Sequence, residues 1–239
     1  MKRSSFKVEA ISRCRVTVTF DRNRFFGSSS PRRDGMRKIV LILFCLMTPF
    51  VYSGELRREG SSAYIKGSIV TSDAKELDVE GLDTLVFQES LGGTMEAARA
   101  YIELIKRRKL RTIVKGRCFS ACALAFLAGS PRSVTPNMNN MIILHVARVM
   151  ENSVPRPSNR NDVIVALIRE LTGGKIKPEI LEKIAISWNE ASGVVFSVGP
   201  GWFGTRKTTL YCDGSQGLDT SKCSYMFNAD PFEMGILTE

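Results

Sequence analysis

Between Leu82 and His145, short apolar runs alternate with one long helix-period segment, and glycines sit at the joints. "LDTLVFQES" (82–90) reads as a strand and runs straight into "LGG". "TMEAARAYIELIKRRKL" repeats Met95, Ala98, Ile102 and Ile105 at helical spacing, so Thr94 is placed to cap a helix reaching about Lys109. "RTIVKG" is a β-branched strand, "SACALAFLAG" a compact apolar helix stopped by Gly129, and "NMIILH" a buried strand ending on His145. Upstream, "AYIKGSIV" (63–70) alternates like a strand. Strand, glycine turn, helix, strand, turn, helix and strand leave few topologies open. The order predicts an α/β fold of right-handed βαβ crossovers with a mainly parallel sheet.

The texture changes after His145. "VMENSVPRPSNRND" (149–162) carries turn residues and is expected to be a mobile loop. Two helices follow, "VIVALIREL" before Gly173-Gly174 and "PEILEKIAISWNE" with Pro178 in its first turn. The stretch from Gly193 is β-like and turn-rich, and the chain closes on "MFNADPFEMGILTE".

The net charge of +10 over 239 residues suggests an anionic partner until it is divided along the chain. Residues 1–53 hold 11 Lys/Arg against 3 Asp/Glu, leaving 23 against 21 in residues 54–239. The basic excess therefore belongs to the leader, and no nucleic-acid partner is expected. The run "KRRKLR" (106–111) falls at a helix C-terminus, where cations complement the helix dipole. Within the leader, Arg37 and Lys38 precede a 13-residue apolar core, Ile39 to Val51, and a small residue, Ser53, stands before Gly54. That core is short of the roughly 20 residues of a membrane span. Residues 36–53 thus read as a signal peptide starting at its own methionine, and 1–35 as a non-native or disordered extension. Residues 54–239 are expected to form a single domain, periplasmic or secreted, and near a membrane if the signal stays uncleaved.

Four cysteines lie in that mature part, Cys118, Cys122, Cys212 and Cys223. An even number in an exported chain favours disulfides, and neighbours in sequence suggest Cys212–Cys223 and Cys118–Cys122. The second pair requires Cys118 to lie off the helix, because two cysteines on successive helical turns seldom meet the required dihedral.

Ser120 stands where a strand passes into a helix, so the amide of Ala121 is expected to project from a helix N-terminus beside it. Gly92 and Gly93 end the preceding strand, and their bare backbone would let a substrate carbonyl approach. His145, the only histidine, ends the next strand. In a parallel sheet the three converge at one edge. "ESLGG", "GRCFSACA" and a histidine 25 residues after the serine together resemble the ClpP/crotonase superfamily, and within it the ClpP-like serine peptidases. "NADPFEMGILTE" is similar to the ending of that family.

The resemblance implies a ClpP/crotonase-like fold with repeated ββα/βαβ units. It implies Ser120 as nucleophile, His145 as general base, Gly93 and Ala121 as oxyanion donors, Gly92 at the substrate, and a peptide or protein substrate in a homo-oligomer. No cofactor or metal is called for. Family members build inter-subunit contacts after the histidine, so the 149–162 segment is expected to gate the site or join subunits. The third triad member stays open: one alignment brings Glu182 near and another Asp219. A Ser–His dyad, or a degenerate homologue serving as a binding or assembly module, also fits. Cys118 or Cys122 as nucleophile with His145, a Ser120–Lys115 dyad, a cysteine-based metal site and crotonase-type acyl chemistry are weaker readings: exported thiols oxidise, Lys115 is generically placed, and the ligands are scattered.

Overall fold

The structure is a computed structural model that describes residues 54–239 apart from 153, 190, 202, 203 and 218. Residues 1–53, expected to hold a signal peptide and an extension before it, lie outside the described residues. Helices and strands are numbered in chain order.

The first sheet is built from β1 (Glu55–Glu59), β2 (Ser62–Lys66), β3 (Thr84–Gln88), β4 (Arg111–Val114) and β6 (Arg132–Val134), in the order β1-β2-β3-β4-β6. β2, β3, β4 and β6 run parallel, while β1 is antiparallel to β2. The crossovers are α1 (Thr71–Glu76) between β2 and β3, α2 (Met95–Arg108) between β3 and β4, and α3 (Ala121–Leu127) before β6. α2 forms as expected. Thr94 accepts a hydrogen bond from Ala97 N at 3.1 Å, a cap worth about 1 kcal/mol. Tyr101, Leu104 and Ile105 on its inner face are buried, and Lys109 ends it in a left-handed conformation. Four cations of the basic run are spent on ion pairs, Lys106 to Glu170 at 2.7 Å, Arg107 and Arg108 to Asp78 at 2.7 and 2.9 Å, and Arg111 to Glu239 at 2.6 Å. Every residue of α3 is buried, which explains why its sequence is apolar all round.

The expected parallel sheet accounts for only part of the chain. β5 (Arg117–Phe119), β7 (Met141–Leu144), β10 (Ser192–Gly201), β11 (Gly204–Asp213) and β12 (Ser224–Tyr225) form a second sheet in the order β12-β11-β10-β7-β5. Only β5 and β7 are parallel in it. β10 and β11 pair antiparallel along their full length. The two sheets meet where Ser90, just past β3, bridges Cys118 of β5.

The segment expected to be a mobile loop carries two paired strands. β8 (Arg148–Glu151) and β9 (Val154–Pro157) pair as an antiparallel hairpin whose side chains are all exposed. Two prolines are tolerated because, among the described residues, neither strand pairs on its far side. Asn152 takes a positive φ of 48° at the tip, a conformation asparagine accepts readily. α4 (Asn161–Leu171) and α5 (Pro178–Ile186) follow as the sequence indicates. Among the described residues no helix is long and apolar enough to cross a membrane.

Candidate active site

Ser120 does not follow the strand "RTIVKG" directly. β4 ends at Val114, the chain turns at Gly116 with φ 121°, and a separate strand, β5, delivers the serine. This extra turn moves Ser120 from the first sheet to the second, beside β7, which delivers His145. Ser120 itself has φ 55° and ψ −123°. That backbone costs of order 1–3 kcal/mol for a residue with a Cβ. A sharp, strained strand-to-helix turn of this kind thrusts a serine hydroxyl out of the chain.

The strain is held from two sides. Ser120 N donates to Ile143 O at 3.1 Å and Leu124 N donates to Ser120 O at 3.1 Å, tying the turn to β7 and to α3. Cys118 on β5 and Cys122 on α3 form a disulfide across it, and Cys212 pairs with Cys223. Cys118 thus lies off the helix, as that pairing requires. Loop-closure entropy alone gives these bridges about 2 and 3 kcal/mol. Both thiols beside Ser120 are consumed, which removes the cysteine nucleophile from consideration in the oxidised chain.

Gly92 lies under the turn rather than in the open site. A Cβ there would come within 2.9 Å of both Phe119 O and Ser120 Cβ, and its φ of 110° suits glycine alone. Gly93 and Ala121 do reach the cavity. Among the described residues neither of their amides has an acceptor, so two N–H groups are left to a ligand. With Ser120 and His145 they line a cavity of about 580 Å³.

His145 follows β7, half-buried. Its Nδ1 donates to Val146 O at 2.9 Å; a carbonyl can only accept, so the proton sits on Nδ1 and the Nε2 lone pair is available as a base. Burial, with the Arg148 charge as a lesser cause, pushes its pKa below the ordinary 6.5, against a smaller upward pull from Val146 O. The imidazole is therefore neutral at pH 7. Among the described residues no hydrogen bond joins Ser120 Oγ to the ring, a looseness common before a substrate closes the geometry.

Neither candidate for the third member lines this cavity. Glu182 is an exposed residue of α5. Asp219 is exposed and caps the 3₁₀ turn Thr220–Lys222, accepting from Ser221 N at 3.1 Å and Ser221 Oγ at 2.6 Å. The Val146 carbonyl, a backbone group no residue pattern reveals, stands where an orienting acid would act. Lys115 precedes the Gly116 turn and does not line the cavity, and among the described residues no three His, Cys, Asp or Glu side chains group as metal ligands would.

The rest of the cavity is largely apolar, lined by Leu91, Met95, Phe119, Leu124 and Ile164, and among the described residues it holds no carboxylate. Its two guanidiniums are Arg117, bonded to Glu89 at 2.7 Å, and Arg148. Both were missed in the sequence, because Arg117 enters the site only through β5 and Arg148 only through the hairpin.

No family model matches this sequence, and no curated protein does. Among solved structures, ClpP1 from Listeria monocytogenes is similar at 18% identity over 75% of this chain and 90% of that one, with a TM-score of 0.43. A point mutant of the same protein gives 17% identity, the same coverage and a TM-score of 0.41. A mutant membrane-bound stomatin-specific protease gives 16% identity over 52% of this chain and 67% of its own, with a TM-score of 0.40. At these values the likeness assigns no role to any residue.

Proposed function

We propose that the chain is an exported serine hydrolase of ClpP-like type that cleaves peptide bonds. One observation carries the reading: a serine in a strained strand-to-helix turn shares a cavity with a neutral histidine and two backbone amides that lack acceptors. Ser120 Oγ attacks the peptide carbonyl carbon while His145 Nε2 takes its proton. The new oxyanion is held by Gly93 N–H and Ala121 N–H. The C–N bond then breaks, the leaving amine takes the proton from Nε2, and water hydrolyses the acyl-serine by the same route in reverse. The two disulfides fit the oxidising compartment this reading requires.

A non-catalytic binding or assembly module is the alternative, favoured by one observation: His145 has a carbonyl on Nδ1 in place of a carboxylate. A fluorophosphonate probe separates the two. Residues 54–239 label at one site, and labelling disappears in Ser120→Ala and falls steeply in His145→Ala. An oxidised, folded protein that does not label establishes the binding module.

The pH dependence has a definite sign. The base works when neutral, hence above its pKa, and that pKa is lowered. The midpoint of the acid decline in labelling and turnover therefore lies below pH 6.5. Arg148→Glu removes a charge that opposes protonation, so it moves the decline to higher pH. A rate profile across pH 5–8 checks both.

A further inference from the structure

The cavity at Ser120 continues past His145. A second cavity of about 510 Å³ adjoins it, and both have Met95, Ala147, Arg148 and Ile164 in their walls. Together they make a groove that runs from the nucleophile to the base of the β8–β9 hairpin and the start of α4. The chemistry changes along its length. Near Ser120 the walls are apolar. In the second cavity Arg99 of α2, Arg148 of β8 and Arg160, just before α4, stand with Glu96 as the one carboxylate among the described lining residues.

Elsewhere on this surface Lys106, Arg107, Arg108 and Arg111 each meet a carboxylate at 2.6–2.9 Å, and Arg117 in the first cavity is held by Glu89 at 2.7 Å. Arg99 and Arg160 are exposed, and among the described residues neither guanidinium has an ion-pair partner. Two arginines from distant segments, left without carboxylates at one end of an otherwise apolar groove, are complementary to a carboxylate on an extended ligand.

We propose, on the reading of Ser120 as nucleophile, that this groove selects peptides with an acidic side chain on one side of an apolar cleavage point. The carboxylate lies toward Arg99 and Arg160, and the residues around the scissile bond lie against the apolar wall. The selection is electrostatic and acts on binding, so it appears in KM more than in kcat and weakens with salt.

Binding is measured by fluorescence anisotropy on Ser120→Ala, with labelled, C-terminally amidated octapeptides that have a Leu-Ala centre and Asp, Asn or Lys at each outer position in turn. On one side of the centre, Asp peptides are expected to bind about tenfold more tightly than Lys peptides. The ratio shrinks in about 0.5 M salt and inverts in the Arg99→Glu/Arg160→Glu double variant. Equal affinity for Asp and Lys peptides at every position overturns the inference. So does a preference that salt leaves intact, a result that still decides the matter if the double variant does not fold. Binding to a protein that cannot turn over is independent of the labelling test. Loss of the charge preference with labelling intact removes this inference alone, while absent labelling with the preference intact removes the hydrolase reading alone.

Discussion

Ser120→Ala lowers peptide hydrolysis by at least about 10³-fold and leaves the thermal midpoint within a few degrees of the parent. The activity loss follows from removing the only hydroxyl at the strained turn, with the Gly93 and Ala121 amides still in place. Stability changes little because alanine has the same Cβ at φ 55° and because no hydrogen bond of Ser120 Oγ is lost. His145→Ala falls to a similar residual rate, and the double variant is no worse than either, since nucleophile and base act as one unit. Glu182→Gln and Asp219→Asn stay within about twofold of the parent, because the Val146 carbonyl already fixes the tautomer and neither acid lines the cavity. Steady-state assays with an oxidised, folded protein check all five variants. A parent that hydrolyses no peptide, or an Asp219→Asn variant that loses as much as Ser120→Ala, contradicts the mechanism.

What could be read from the sequence was what depends on short-range pattern. The helix from Met95 to Arg108 was legible from four apolar residues at helical spacing and a capping threonine, and it forms with that cap. Cys118 was required to leave the helix for its disulfide, and it does so on β5. The misses share a physical origin in long-range pairing. β5 is three residues long and exists because Ser90 and β7 flank it, so nothing local distinguishes "RCF" from a loop. The hairpin at 148–157 carries the prolines and asparagine of a loop, yet its exposed pairing tolerates them. The orienting partner of His145 is a backbone carbonyl, invisible to any residue pattern. Convergence of Gly93, Ser120 and His145 followed from strand order even though Ser120 is delivered by β5 of the second sheet and not by the strand "RTIVKG". β5 and β7 are still parallel neighbours, so their C-terminal ends still share an edge.

The most destabilising single change expected away from the site is Arg132→Met. Arg132 opens β6, and its guanidinium is packed into the junction of three chain segments. Nη1 donates to Leu127 O at 2.6 Å, Gly129 O at 3.2 Å and Leu171 O at 3.3 Å, and Nη2 donates to Gly235 O at 2.5 Å. Leu127 and Leu171 are the last residues of α3 and α4, where carbonyls lack helical partners and the dipole favours a cation. Gly235 belongs to the closing "NADPFEMGILTE" segment, which Arg132 also anchors through backbone bonds to Thr238. Methionine preserves much of the aliphatic volume but leaves these carbonyls without their donor. The expected cost is about 3 kcal/mol, from several lost bonds to a charged donor and from carbonyls left desolvated. For a folded part of this length that is a fall of about 10 °C in thermal midpoint. Arg132→Lys keeps the charge but cannot span both sides of the junction, so it recovers only part of the loss. Because α3 presents the Ala121 amide at its other end, probe labelling at Ser120 also slows in Arg132→Met below its melting range. A midpoint within 2 °C of the parent shows that the carbonyls find other donors and that the junction does not depend on Arg132.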